Sequence, residues 1–328
     1  MSRLPARQHP RPGVDPFTRR TPRVVAARRL SRRRDRDAAR RFLVEGPQAV
    51  REALAVPDLV SDVFATGAAL DRYPDLAAAT VASGARLSPV TDDALASLAE
   101  TVHPQGLVAV CDFVDVPLAR ALASAPRLVA VLADIADPGN AGTVLRTADA
   151  AGAGAVVFAG TAVDPYNGKC VRASAGSLFH VDVVRGGDPA AIVAALRAAG
   201  LLVLAADPYG PGDLDALADA GDLCRPTAWL FGSEAHGLPA DLAEAADARV
   251  RVPIHGRAES LNLAAAAAVC LYASARAQRS HRAGQAQRSH RAGQAQVDDS
   301  AGQAGRGAVA GRFAADAMPV TRRDVPGS

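Results

Sequence analysis

Lysine is almost missing from this chain: Lys169 stands alone among 37 basic residues, the rest being arginine. The bias toward Arg and Ala runs through the whole sequence, so one arginine taken singly is weak evidence of a site. Cysteine is scarce too. Cys111, Cys170, Cys224 and Cys270 show no CxxC spacing, and no histidine lies at ligand distance from two of them. That excludes a zinc ribbon or a disulfide scaffold and fits free thiols in a reducing, cytoplasmic setting. No apolar run reaches the ~18 residues of a membrane-spanning helix, because the longest begins at Leu263 and is broken by Arg276. No apolar h-region follows the Arg-rich start, so no signal peptide is expected. The Walker lysine and the GxGxxG fingerprint of nucleotide-binding loops are both lacking. No metal site is expected; His281 and His290 sit in a polar repeat.

What is present supports a folded, two-domain chain. There are 328 residues, and 49% of them are apolar, enough for a sizeable core. The net charge of +3 is unevenly spread. Residues 1–40 hold thirteen arginines and three aspartates, a local +10, which leaves −7 for the remainder. A basic arm on a mildly acidic body points to a polyanionic partner, with nucleic acid the first candidate.

Residues 1–20 are rich in Pro and Arg without periodicity and read as a flexible basic arm; 22–40 can form a basic helix. A small α/β unit follows, giving a first domain over 21–113: strand, Gly46-Pro47 turn and helix in RRFLVEGPQAVREALA, then strands in DLVSDVFAT, RLSPVT and GLVAVCDF, with helices over 73–83 and in DDALASLAE. Residues 114–126 form a linker with a helical middle. From Arg127 to 277, longer strand–helix units alternate (RLVAVLADI, AVVFAG, FHVDVV, LLVLAAD, TAWLFG, ADARVRVPI as strands), the signature of a mostly parallel sheet covered on both faces. A helix from Leu261 to about Ala277 closes this domain. Beyond it QRSHRAGQA occurs twice in tandem, and 278–328 is read as a disordered tail.

Three polar, Gly-containing segments leave strands of the second domain, where ligands of open parallel sheets gather. In ADPGNAGTVLRTADAAGA, Asn140 is placed to cap the following helix, and Arg146 sits among apolar neighbours that would half-bury it. LFGSEAHGL (230–238) is a Gly-x-Glu-x-x-Gly turn whose His236 is either a base or a surface residue. VPIHGRAESLNLAAAAAVCLYASA (252–275) is too short for a membrane span. It is either a plain core helix or one wall of an active site, with Ser260 as its N-cap and Asn262 in the first turn.

In order and spacing, NxGxxxRTA, GSExxG and a strand ending VPI with SLNxxxA resemble the three motifs of the SpoU (TrmH-type) RNA 2′-O-ribose methyltransferases, of the SPOUT class. The resemblance covers 127–275; FLVEGPQAVREAL and QGLVAV extend it, less distinctively, to the family's smaller RNA-binding domain. It implies an α/β fold with a mostly parallel sheet, a deep C-terminal trefoil knot (the SPOUT α/β-knot) and a smaller N-terminal α/β RNA-binding domain. It also implies S-adenosyl-L-methionine as cofactor, a homodimer, and an RNA partner, 23S rRNA before tRNA. A non-catalytic RNA-binding or ribosome-assembly protein is the alternative. The family's active-site set maps to Asn140, Arg146, Glu234, Ser260 and Asn262. Its cofactor contacts map to Gly232, Val252, Ile254 and Leu261, mostly through backbone, and Arg172 matches a family arginine that helps hold RNA. The arginines of 19–41, Arg40 and Arg41 among them, are expected to contact RNA phosphates. A guanidinium hardly deprotonates below pH 12. Arg146 is therefore expected to hold the neighbouring phosphate and orient the 2′-OH, the proton leaving to water or a nearby group.

Overall fold

The computed structural model describes residues 15–285 and 287. The first fourteen residues, and the second repeat beyond its first residue, with His290, lie outside the described residues. By its contacts the chain divides into two units, Met1–Gln278 and Arg279–Ser328.

The first unit contains two sheets. The smaller has strands β1 (Arg41–Glu45), β2 (Val60–Ala65), β3 (Arg86–Pro89) and β4 (Leu107–Asp112) in the order β1-β4-β2-β3. β4 runs antiparallel to both neighbours, and β2 pairs with β3 in parallel. The larger has β5 (Leu128–Ala133), β6 (Ala155–Ala159), β7 (Asp182–Arg185), β8 (Leu202–Ala206), β9 (Gly212–Asp213), β10 (Thr227–Phe231) and β11 (Ala248–Arg251). Their order is β7-β6-β5-β10-β8-β11-β9, and every pairing is parallel. β9 is a two-residue edge strand with no apolar alternation to announce it.

Alternation along the central strands assigns side chains to the two faces. Leu128, Ala130, Leu132, Val156, Phe158, Trp229 and Phe231 enter one cluster. Val129, Val131, Ala133, Val157, Ala228 and Leu230 enter the other. The first cluster also receives Phe42, Val44 and Leu107 of the small sheet, so the two sheets share a core. Tyr166 ties this junction. Its ring stacks on Phe113 at 3.9 Å, and its hydroxyl accepts from the N–H groups of Val114 and Asp115 while donating to Asp115 Oδ1. The segment after residue 113 is thus pinned, and its helix Leu118–Ala123 buries Ala121 fully.

The basic stretch forms two helices, Pro22–Arg29 and Arg33–Ala39, rather than one. Arg36 explains the break. Its buried guanidinium donates to the carbonyls of Leu30 and Ser31 and pairs with Asp164 at 2.7 Å, which satisfies acceptors at the end of the first helix. The segment read as one helix over 73–83 is likewise preceded by a short helix Gly67–Arg72, interrupted before Pro74.

The last helix starts at residue 263, and residues 279–285, in the second unit, are helical as well. Order therefore continues past 277, since Ala, Arg and Gln favour helix and no glycine intervenes before 284. Ala264, Ala267, Cys270, Leu271 and Ala275 bury against the sheet. Ser274 accepts the indole N–H of Trp229 at 2.9 Å, both residues being fully enclosed. The Gln278 amide donates to the carbonyls of Arg127 and Arg225, fixing the helix beside the starts of β5 and β10. Among the described residues no helix is long and apolar enough to cross a membrane, and no group of three or more His, Cys, Asp or Glu could hold a metal ion.

Candidate active site

At the carboxyl ends of β8, β10 and β11 opens a cleft of about 640 Å³, within the range of small-ligand sites. Gly232, Val252, Ile254 and Leu261 all line it, with Glu234, Ser260 and Asn262. The sequence did not single out Asp207, Tyr209 or Leu263, which line it too. The Asp-Pro-Tyr-Gly turn directly after β8 carried the signal for the first two.

Gly232 shows why this position takes no side chain. A Cβ there would lie 2.2 Å from the Gly237 carbonyl carbon and 2.3 Å from the Leu238 nitrogen. The chain folds back across it, with Ser233 and Gly237 exchanging two backbone hydrogen bonds of 3.1 and 2.8 Å. Gly237 completes the turn at φ +69°. The turn holds Glu234 out toward the neighbouring loops.

Those loops meet through side-chain amides. Asn140 Nδ2 donates to Glu234 Oε1 at 2.8 Å, and Asn262 Nδ2 donates to Asn140 Oδ1 at 3.2 Å. Asn262 Oδ1 in turn accepts from the N–H groups of Ala264 and Ala265. One residue from each segment thus forms a continuous chain of hydrogen bonds ending on a helix N-terminus.

This arrangement corrects two assignments. Asp137, not Asn140, caps helix Pro138–Ala151, its carboxylate accepting from Asn140 N at 2.8 Å. The Asn140 amide is thereby released for the site. Asn262, not Ser260, caps the last helix, because the helix starts at residue 263, two residues later than expected. The contact of Asp137 with the Lys169 ammonium holds its carboxyl below the usual carboxylate range, and the Asn140 and Gly139 N–H groups act the same way.

Arg146 is exposed, not half-buried, and its side chain makes no hydrogen bond or ion pair with another described residue. It lies on the outer face of its helix, six residues or about 9 Å along the axis from Asn140. Its apolar neighbours Val144, Leu145 and Ala148 are buried on the opposite face.

The arginines expected to touch RNA are already engaged. Arg172 reaches Glu45 at 3.4 Å and Glu100 at 3.2 Å. Arg40 pairs with Asp115 and lies over the Phe113 ring, and Arg41 pairs with Asp112 at 2.7 Å. Arg20, Arg28, Arg29, Arg32 and Arg34 make no such pair among the described residues.

Family models match both halves of the chain: the SpoU rRNA Methylase family over residues 127–272 and the MRM3-like substrate binding domain over 21–109. A 23S rRNA (guanosine(2553)-2′-O)-methyltransferase, RlmP of Bacillus subtilis, is 34% identical over 245 residues, 75% of this chain and 92% of that protein. The chain belongs to the SpoU rRNA methylase family. Solved members superpose well. An AdoMet-bound rRNA methyltransferase from Sinorhizobium meliloti matches with a TM-score of 0.67 and 32% identity over 78% of this chain and 95% of its own. The SpoU methyltransferase AviRb from Streptomyces viridochromogenes, in complex with AdoMet, also gives 0.67, with 31% identity over 79% of this chain and 100% of its own.

Proposed function

We propose that this SpoU-family member transfers a methyl group from S-adenosylmethionine to a ribose 2′-OH of 23S rRNA. The observation that carries the reading is the junction of Asn140, Glu234 and Asn262 beside the cleft. The cleft suits the cofactor: apolar walls from Phe231, Val250, Val252, Ile254 and Leu261 receive a purine nucleoside, and the Glu234 carboxylate complements a cation. When bound, the cofactor supplies an electrophilic methyl on a sulfonium. Glu234, Asn140 and Asn262 fix one another and hold the cleft wall in register with the helix Pro138–Ala151. The free Arg146 guanidinium binds the phosphate next to the target ribose and orients its 2′-OH toward the cleft. The new bond joins the 2′-oxygen to the methyl carbon, the C–S electron pair stays on sulfur, and the hydroxyl proton leaves to water or a nearby group. Ser260, on the cleft lining, faces the same space.

The substrate domain over 21–113 presents the RNA. Phosphate contacts fall first on Arg20, Arg28, Arg29, Arg32 and Arg34, which have no carboxylate to exchange among the described residues. Arg40, Arg41 and Arg172 join by trading their carboxylate partners for phosphate. The trefoil knot belongs to this reading and is supported by the last helix, which returns from the cleft onto the face of β5 and β10. So does a homodimer: Val269 and Tyr272 are 42% and 45% exposed on the outward face of that helix. Tyr272→Glu then yields a monomer in sedimentation equilibrium. Action in the cytoplasm accords with the four free cysteines.

Incubation with methyl-labelled cofactor and 23S rRNA tests the reaction. Label in an alkali-resistant dinucleotide supports it; label on a base, or none, overturns it.

A further inference from the structure

Within the sheet β8 lies between β10 and β11. The loop after β10 supplies Gly232 and Glu234 to the cleft, and the segment after β11 supplies Val252 and Ile254. A ligand that reaches both must cross the exit of β8, where the chain reads Asp207-Pro208-Tyr209-Gly210. Tyr209 lines the cleft while its residue is 84% exposed. Exposure alone would mean nothing; the position on the rim and the rigidity of the loop beneath it are what matter.

That backbone is held from several sides. Asp207 Oδ1 accepts the Tyr209 N–H at 2.8 Å, and Asp207 Oδ2 accepts from Arg249 Nε at 2.8 Å. Asp207 N donates to the Val250 carbonyl, and Gly210 N to the Asp207 carbonyl. Arg251 Nη1 donates to the carbonyls of Gly210 and Pro211 at 3.1 and 3.0 Å. Gly210 lies flush on β11, where a Cβ would come within 2.7 Å of the Arg249 carbonyl carbon. The loop is anchored to the strand that carries one wall, while the Tyr209 ring makes no ring contact or side-chain hydrogen bond among the described residues. An aromatic ring with two rotatable bonds on a fixed backbone loses little entropy when it packs on a ligand.

We propose that Tyr209 covers the adenine ring of the bound cofactor, stacking on it from the solvent side and sealing the cleft mouth. This rests on the cofactor assignment above. The ring face of tyrosine supplies the stabilisation, and its hydroxyl is dispensable.

Calorimetric titration of the full chain with S-adenosylhomocysteine, adenosine and methionine tests it. Tyr209→Ala raises Kd for S-adenosylhomocysteine and adenosine about fivefold to tenfold. Tyr209→Phe retains the wild-type Kd, and methionine responds to neither substitution. In Tyr209→Trp, fluorescence changes saturably with S-adenosylhomocysteine at the calorimetric Kd. Equal affinity of Tyr209→Ala and wild type for S-adenosylhomocysteine overturns the inference and leaves the cofactor assignment standing. A loss confined to RNA binding, or to methionine, overturns it as well. Failure of the wild type to bind S-adenosylhomocysteine overturns both.

Discussion

A methyl group at position 232 has nowhere to go. The three nearest atoms to a Cβ built there are backbone atoms of Gly237 and Leu238, at 2.2 to 2.4 Å. Ordinary contact begins near 3.4 Å, so in Gly232→Ala the 233–238 turn must retreat by about 1.2 Å. β10 cannot yield instead, because Trp229, Leu230 and Phe231 are locked between two layers of core. Glu234 Oε1 now sits 2.8 Å from Asn140 Nδ2. A retreat of that size along the bond opens it to about 4.0 Å, outside hydrogen-bond range. Overpacking of this kind costs about 1–3 kcal/mol, a Tm loss of roughly 2–10 °C for a domain of this size. The larger effect is functional, since the displaced turn is a wall of the cleft. Calorimetry with S-adenosylhomocysteine should show Kd raised about tenfold or more, equivalent to about 1.4 kcal/mol, while circular dichroism remains that of a folded α/β protein. A variant that binds within twofold of wild type, at unchanged Tm, would refute the claim that this crossing shapes the cofactor wall.

Arg146→Ala should lower turnover about 100-fold or more while S-adenosylhomocysteine affinity and Tm stay put, because the role proposed for the side chain is to hold RNA and it pairs with no described residue of the fold; a parallel loss of cofactor binding would contradict that role. Ser274→Ala leaves the Trp229 N–H buried without an acceptor and should cost about 1–3 kcal/mol in urea titration, whereas an unchanged midpoint would mean that another acceptor takes over. His180 joins the two α/β regions, its Nδ1 2.8 Å from Asp149 and its Nε2 3.3 Å from Glu52. The hydrogen bond to Asp149 raises its pKa above the ordinary 6.5, and the Glu52 contact adds to this against a smaller opposing effect of burial. The stabilisation is therefore complete below pH 6.5 and is lost as pH rises through the raised value. Wild-type Tm should fall over that interval relative to His180→Gln; parallel pH profiles would remove His180 from the account.

The parallel sheet was legible because β5, β6 and β10 are apolar on both faces, and burial on both faces leaves no other sequence solution. The three loops were legible because Gly, Asn and Glu stand at strand exits in an order that packing alone does not demand. Individual side-chain roles were less so. Both Asp137 and Asn140 can cap a helix, and only the Pro138 entry geometry shows that Asp137 does. Ser260 and Asn262 posed the same ambiguity, settled by where the helix begins. The ion pairs of Arg40, Arg41 and Arg172 were not legible, because their partners Asp115, Asp112, Glu45 and Glu100 lie 71 or more residues away in sequence, and nothing local predicts such pairs. Arg36 is the extreme case, since an arginine in a basic run turned out to be the buried pin between helices and Asp164.

Ribose-methylation mapping of 23S rRNA from cells with and without the gene tests the central claim most directly. The account predicts that one 2′-O-methyl mark disappears with the gene and returns when the wild-type chain, but not Arg146→Ala, is supplied. An unchanged 2′-O-methyl map, or restoration of the mark by Arg146→Ala at full level, would contradict it.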